Sequence, residues 1–484
     1  MLVEKIIYEP VIGLEIHAQL KTKSKLFSSD ATHFGAAPNT QVSEITLAHP
    51  GTLPKTNKKA IELAVIMGLA CNCKIESNNY FARKNYFYPD LPKGYQVTQH
   101  TAPICIGGDI AIKTNYSERN IKLNRIHLEE DAGKSIHDID EHFTCLDYNR
   151  AGVPLIEIVT EPDIFSADEA YEVVTHIRKL VRWLNVCDGN MEEGSLRCDA
   201  NISIRPKGST TLGKKVEVKN LNSIRNVKKA IEYEIERMIL LKEKGEEIIQ
   251  QTRSFDANTD TTFALRDKEE ANDYRYFPEP DLPVFILNKE YIDAIKSNMP
   301  LLPHQLKLEF KNKYALSEYD AAQLSDDKET ADYFIQTIAY HQNYKSIANF
   351  ILGPIRQLIN EQNISLYNLL ITPKLLSNII KLIDEGKVSF SVASSKLLAL
   401  CLQQPNKEIE VLATENNLLQ VSNINELDQW IEQTLAQFPD KVLEYKKGKK
   451  GIIGLFVGEV KKLSKGTADA KKVTSLLQEK LNQS

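Results

Sequence analysis

The sequence predicts an α+β protein: a cradle domain around a largely antiparallel mixed sheet with helices on one face, followed by an all-α helical domain and a small all-α tail domain. Three observations carry this expectation. Long stretches of the first 295 residues alternate polar and apolar side chains with the period of two that marks a half-buried strand. Amphipathic stretches with helical spacing interrupt them, and beyond about Lys296 only the helical pattern remains. Lysine then accumulates in the last module, so the expected boundaries are 1–295, 296–408 and 409–484.

The composition of the 484 residues, 42% hydrophobic and 26% charged, allows several packed domains. The N-terminal MLVEKIIYEPVIGLEIH lacks a basic region followed by a sustained apolar run, and no later run is long and apolar enough to span a bilayer, so a cytoplasmic protein without a membrane partner is expected. Seven scattered cysteines argue for reduced thiols, and the one close pair, Cys71 and Cys73, lacks the second pair of a zinc site. A net charge of −5 excludes a uniformly basic nucleic-acid binder but not a local basic patch.

In order along the chain, Val11–Leu20 reads as a strand with Ile12, Leu14, Ile16, Ala18 and Leu20 on one side and Glu15, His17 and Gln19 on the other. A helix is expected from about Asn57 to Ala70, with Ala60, Leu63, Ala64 and Met67 at core spacing. Arg83 to Gln96 mixes cations, aromatics, Pro89 and Pro92, which suits a loop. Its Arg83, Lys84 and Tyr86 are equipped to meet a nucleotide base and phosphates. Strands follow at 126–134, where adjacent Glu129 and Glu130 must face opposite ways, and at 154–159, where Glu157 sits among apolar residues and needs a metal ion or a base.

Ser166 to Glu169 forms a capping box, and Ala170, Val173, Ile177, Leu180 and Leu184 make one apolar stripe. Glu192–Arg205 is the most strongly two-faced stretch: Ser195, Arg197, Asp199, Asn201, Ser203 and Arg205 project one way, with Leu196, Cys198, Ala200, Ile202 and Ile204 opposite. A helix from about Ile224 to Lys244 turns Val227, Ile231, Ile235 and Met238 inward and stops at Gly245. The segment 273–283 repeats the aromatic, cationic and proline mixture of the earlier loop, and the two are expected to bracket one site. Proline breakers at Pro300 and Pro303 mark a linker. Thr372 and Pro373 then start a short helix with Leu375, Leu376, Ile379, Ile380 and Ile383 on one face, and 393–402 is helical.

Glu15, His17, Glu130, Glu157 and Asp199 thus offer carboxylates and one imidazole from four strands. Hard oxygen ligands favour Mg²⁺ or Mn²⁺ over zinc, and Mg²⁺ is the usual companion of ATP. Neither a P-loop nor a Gly-x-Gly-x-x-Gly fingerprint occurs, so any nucleotide site is of another type.

The ordered segments GLEIHAQL, HPGTLPK, RKNYFYPDLPKGYQ, HLEEDAGKS, DYNRAGVPLIEIVTEPD, EEGSLRCDANISIRP, EVKNLNS and DYRYFPEPDLP closely resemble the B subunit of the heterotrimeric aspartyl/glutamyl-tRNA amidotransferase, over the whole chain. The resemblance implies a protein that uses ATP to phosphorylate the side-chain carboxylate of Glu misattached to glutamine tRNA or Asp misattached to asparagine tRNA, after which ammonia displaces the phosphate. It implies partners as well: an amidase that releases ammonia from glutamine, a small third subunit, and the misacylated tRNA. By resemblance the ATP and Mg²⁺ site falls on Glu15, His17, Glu130, Glu157 and Asp199. Within it Glu15 and Asp199, with Arg197 and Lys219, are expected to act on the reacting groups, His17, Glu130 and Glu157 to hold metal, and Arg83, Lys84 and Tyr86 to hold the cofactor. Some relatives bind zinc through cysteines; this chain lacks two well-spaced pairs.

Residues 441–472 hold ten lysines against three acids, and Lys446, Lys447, Lys449, Lys450, Lys461 and Lys462 are the candidates for tRNA phosphates. Ile452, Ile453, Leu455, Phe456, Val457 and Val460 offer that module a packing face. The resemblance agrees, since the family's tail binds tRNA. The competing reading is a tRNA-binding scaffold without chemistry, which metal dependence would separate. The related archaeal protein carries an inserted domain that has no counterpart here. No cysteine nucleophile motif, Gly-x-Ser-x-Gly elbow or serine-lysine amidase signature is present, so ammonia must come from a partner.

Overall fold

A computed structural model describes residues 6–267, 274–420 and 424–483, in two compact units that meet in sequence at Leu302 and Pro303. In the first unit the alternating stretches form a thirteen-stranded mixed sheet. Along its main path lie Thr261–Asp267, Gln251–Asp256, Val216–Leu221, Leu196–Pro206, Tyr8–Gln19, Pro154–Thr160, Glu118–Glu130, Tyr95–Thr98, Ala82–Asn85 and Arg275–Pro278. Val216–Leu221 and Gln251–Asp256 run parallel; the other neighbours on this path are antiparallel.

Register decides which side chains share a face, because directly opposed residues on antiparallel strands point to the same side. Ile16 opposes both Cys198 and Ile158, and Leu14 opposes Ala200, so the apolar positions of three strands merge into one buried layer. Each large aliphatic chain in it contributes about 1.5–3 kcal/mol. Helix Ala167–Trp183 packs its Ala170, Val173, Ile177 and Leu180 into this core, with Ser166 Oγ accepting from the Glu169 amide at 3.1 Å. Helix Lys58–Ala70, capped by Asn57, buries Ala60, Leu63, Ala64 and Met67 as its spacing predicts. Helix Ile224–Glu243 buries Val227, Ile231 and Met238 and ends before Gly245, whose φ of +76° suits glycine. Ile235 is only partly buried; the fully buried neighbour is Glu234, which two arginines make tolerable, Arg237 at 2.7 Å and Arg253 at 2.9 Å.

Two expectations need correction. The strand expected from Glu192 begins at Leu196, because residues 191–194 form a turn around Gly194, φ +78°. The stretch from Arg83 to Gln96 is not loop throughout: Ala82–Asn85 pairs with Tyr95–Thr98 as a hairpin, and the prolines are confined to its connection, where no ladder hydrogen bond is lost. Arg275–Pro278 adds to the free edge of that hairpin, Tyr276 opposite Lys84, which brings the two aromatic, cationic segments together. Asp273, at the start of the second segment, lies outside the described residues.

The second unit is helical. Helix Pro373–Asp384 is capped by Thr372 and buries Leu376, Ile379 and Ile380; Leu375 and Ile383 are partly exposed, and Leu382 completes the packed face. A separate core gathers Leu427, Ile431, Tyr445, Phe456, Val460, Val473 and Leu477 from helices Ile424–Gln437, Pro439–Lys446, Ile453–Leu463 and Ala470–Gln483. Leu455, expected in its packing face, points outward at 40% exposure, since it lies beside rather than on the Phe456–Val460 stripe. Among the described residues no helix is long and apolar enough to cross a membrane.

Candidate active site

The sheet face opposite the helices is built in rows. Across one row stand Arg197, His17, Glu157 and His127, each opposed to the next; across the adjoining row stand Asp199, Glu15 and Val159. The alternation that buries Ile16 and Cys198 therefore forces His17, Arg197, Glu15 and Asp199 into one space.

Two acidic groups result. In the first, His17 Nε2 lies 3.4 Å from Glu157 and 3.5 Å from Glu129, while His127 Nε2 lies 3.6 Å from Glu157. In the second, Glu15, Asp199 and Glu217 converge, with ligand atoms of each trio within 4.8 Å of one another. Lys219 Nζ sits 2.7 Å from Asp199 and 3.0 Å from Glu217, and Asn201 donates to Glu15 Oε1 at 2.9 Å. Lys219 reaches this position past an irregularity in the Cys198/Ala200 pairing, next to Asn220 with φ +65°.

The electrostatics follow from crowding anions in a half-dry cleft. Burial, then Glu157, Asp199 and Glu217, raise the Glu15 pKa above its ordinary range. Burial and Glu157 push Glu129 up to about 7. Burial opposes charge on His17, but the hydrogen bond and charge of Glu157, with Glu129, push it up to about 9. Burial drives fully enclosed His127 down to about 3, leaving it neutral. Lys219, despite burial, is raised by Asp199 and Glu217. A divalent cation suits either trio, because it would relieve the carboxylate repulsion that adds to burial in raising Glu15 and Glu129. The all-oxygen group of Glu15, Asp199 and Glu217 matches Mg²⁺, and His17, Glu129 and Glu157 make a mixed nitrogen-oxygen set.

The expected residues distribute as follows. Glu15, His17, Glu157, Arg197, Asp199 and Lys219 share the polar face. Glu130 turns away from it: its carboxylate accepts from the Val97 amide at 2.9 Å and pairs with Lys93. Glu129 stands beside His17 instead, on the same strand face as His127, whereas Glu130 follows the parity of fully buried Leu128. Arg83 is committed to Glu279 through two 2.7 Å hydrogen bonds and lies 4.3 Å from the Tyr95 ring centre. Lys84 lies over Tyr86 and Tyr274, at 5.4 and 4.9 Å. The six expected RNA-binding lysines are exposed; Lys449 and Lys462 pair with Glu444 and Glu459, while Lys446, Lys447 and Lys461 make no ion pair among the described residues. Sequence reasoning missed His127, Glu129 and Glu217. Parity with Leu128 was a usable signal for the first two; Glu217 joins only through tertiary pairing with Asn201.

Asp131 anchors the end of the row. Though buried, it is held below the usual carboxylate range by Arg197 and Arg150, and it accepts from Arg197 at 3.0 Å and Gln19 at 2.9 Å. A depressed native pKa contributes stability that is full above the unfolded value of about 3.9 and is lost as pH falls through the lower native value. Asp131→Asn is therefore expected to cost about 2 kcal/mol at pH 7 and to shrink that penalty below about pH 4, read from urea denaturation at both pH values.

Comparison with known proteins gives a consistent result. The profile of the GatB/GatE catalytic domain matches residues 10–293, and that of the GatB domain matches residues 332–481. The chain is 46% identical over 470 residues to the aspartyl/glutamyl-tRNA(Asn/Gln) amidotransferase B subunit of Thermodesulfovibrio yellowstonii, covering 97% of this chain and 98% of that one. It is 45% identical to the protein of the same name from Persephonella marina, and 44% to that from Thermoanaerobacter pseudethanolicus, with 98% of this chain and 99% of each relative covered.

Proposed function

Because this chain belongs to the family of B subunits of the aspartyl/glutamyl-tRNA(Asn/Gln) amidotransferase, we propose that its polar sheet face transfers phosphate from ATP to the side-chain carboxylate of Glu-tRNA(Gln), Asp-tRNA(Asn) or both, and amidates the product. The observation that carries this reading is the convergence of two acidic trios with Lys219 and Arg197 on one face. Bringing a triphosphate to a carboxylate joins two anions, and fixed cations backed by metal-binding acids are what that encounter requires.

A side-chain carboxylate oxygen bonds to the γ-phosphorus as the bond to ADP breaks, giving an acyl phosphate. Ammonia then bonds to the acyl carbon, inorganic phosphate leaves with the broken C–O bond, and the surplus proton passes to solvent. Lys219, set between Asp199 and Glu217, would face the transferring oxygens, and Arg197, held by Asp131, would orient the incoming carboxylate. Glu15, Asp199 and Glu217, or His17, Glu129 and Glu157, would hold Mg²⁺, which when bound would supply charge neutralisation to the phosphoryl group.

Residues 1–295 would carry this chemistry, 296–408 would be the helical domain that follows it in sequence, and the tail, 409–484, would hold the tRNA through Lys446, Lys447, Lys449, Lys450, Lys461 and Lys462. The working assembly is a cytoplasmic heterotrimer of this chain, an amidase and a small third subunit. The test is to incubate the purified chain with ATP, Mg²⁺ and Glu-tRNA(Gln), adding glutamine or an ammonium salt, and to measure Gln-tRNA(Gln). Product is expected with ammonium, and with glutamine only once the amidase is supplied; glutamine-dependent product from the chain alone would overturn the division of labour.

A further inference from the structure

One buried side chain of the polar face has no part in the reaction described above. His127 is 1% exposed, the most enclosed member of its row, whereas the side chain of His17, its counterpart across Glu157, is 19% exposed. The two imidazoles face the same pair of carboxylates. Glu129 presents Oε1 to His17 Nε2 at 3.5 Å and Oε2 to His127 Nε2 at 3.8 Å. Glu157 Oε2 lies 3.4 Å from the first nitrogen and 3.6 Å from the second. His17 therefore stands on the open side of the pair, and His127 closes its inner side.

Packing alone does not account for a histidine here. Its Nδ1 is buried without a hydrogen-bond partner among the described residues, a cost in free energy that a phenylalanine of similar outline would not incur. What the imidazole adds is Nε2. A lone pair there would point at two carboxylates, so a proton belongs on Nε2 whatever the charge of the ring. The ring is braced as well: His100 stands edge-on to it, with centroids 5.9 Å apart and planes at 84°. His100 is itself stacked on Tyr276, at 5.1 Å and 13°, and its Nδ1 lies 3.1 Å from Arg125 Nη2. Held at its edge, and opposed to Glu157 across the strands, His127 keeps Nε2 aimed at the pair.

We propose that His127 is a positioning residue whose Nε2–H, set behind Glu129 and Glu157, holds the two carboxylates in the orientation in which they and His17 would bind a divalent cation. This role rests on the phosphoryl-transfer reading above and adds to it what keeps one metal-binding group in shape. Side by side and largely buried, the two carboxylates repel each other. A donor on their inner side offsets that repulsion and leaves the lone pairs toward His17 free for a cation.

Glutamine carries its amide nitrogen where histidine carries Nε2, and asparagine where histidine carries Nδ1, so His127→Gln and His127→Asn separate the two nitrogens. Both are made in the full chain with Glu217→Gln, which takes one acid from the other trio so that metal binding reports His17, Glu129 and Glu157. Mn²⁺ binding is read from loss of the free-ion EPR signal. His127→Gln is expected to stay within about threefold of its parent and His127→Asn to weaken Mn²⁺ at least about tenfold, with urea midpoints alike. In the native chain, ¹⁵N-histidine spectra are expected to show the proton of this buried ring on Nε2; a proton on Nδ1 alone would overturn the proposal even if neither variant folds. Equal Mn²⁺ binding by the two variants, tight or weak, would overturn it while leaving metal use intact. So would a Glu217→Gln chain that binds no Mn²⁺ although the native chain does. A native chain that binds no Mn²⁺ would overturn the metal-assisted reading, and this role with it.

Discussion

Asp199→Ala is expected to lower ATP-dependent amidation of Glu-tRNA(Gln) by at least about 10³-fold, with tRNA affinity nearly unchanged. Asp199 serves twice: it completes the trio with Glu15 and Glu217, and it holds Lys219 at 2.7 Å. Removing it takes one carboxylate from the group proposed to hold metal and frees Lys219 to collapse onto Glu217, 3.0 Å away. The fold should survive, because the opposite face of the strand, Cys198 and Ala200, keeps its core contacts. Asp199→Asn, which retains size and hydrogen bonding but not charge, should be nearly as inactive. Rates at saturating Mg²⁺ and tRNA, with filter binding of the tRNA in parallel, decide it. Wild-type turnover in either variant would remove Asp199 from the chemistry.

Removing the tail is expected to act on the other half of the reaction. Its core, from Leu427 to Leu481, is separate, whereas helix Ile409–Glu415 packs on Pro373–Asp384 and Gln420 donates its amide to the Lys387 carbonyl at 2.7 Å. A chain ending after Gln420 therefore loses the lysine-rich module and keeps those contacts. If four to six of the exposed lysines each neutralise a phosphate, tRNA affinity should fall about 10²-fold or more near physiological salt, and the slope of log affinity against log salt should flatten by about 3–5. Chemistry at saturating tRNA should persist. An unchanged slope would assign these lysines to solubility, and a smaller, localised loss would point to the paired Lys449 and Lys462 as bystanders.

Most of the fold was legible because strand and helix periods are local. The alternation in Tyr8–Gln19 and Leu196–Pro206 names the buried layer and the polar face without knowledge of any neighbour, and the caps at Ser166 and Thr372 stand where helices begin. Register is not local. That His17 opposes Glu157 and Arg197, while Glu15 opposes Asp199, depends on a pairing offset that the chain does not write in any one segment. Glu217 was missed for this reason. Glu129 was not beyond reach: Leu128 is the apolar member of the alternation, so its neighbours His127 and Glu129 had to share the other face. The hairpin hidden in Arg83 to Gln96 escaped because its strands, four residues each, gain their stability from pairing with each other, with Arg275–Pro278 and with the Glu118–Glu130 strand, not from a pattern of their own.

In the proposed reaction phosphate is transferred onto the aminoacyl carboxylate and not merely released from ATP. Glutamate labelled with ¹⁸O in its side-chain carboxylate, charged on tRNA(Gln) and incubated with this chain, ATP, Mg²⁺ and ammonium, reports that transfer in the mass of the inorganic phosphate. Phosphate carrying one ¹⁸O for each Gln-tRNA(Gln) formed is the expected result, since the C–O bond of the acyl phosphate breaks when ammonia attacks. Unlabelled phosphate alongside Gln-tRNA(Gln) would show that amidation proceeds without an acyl phosphate.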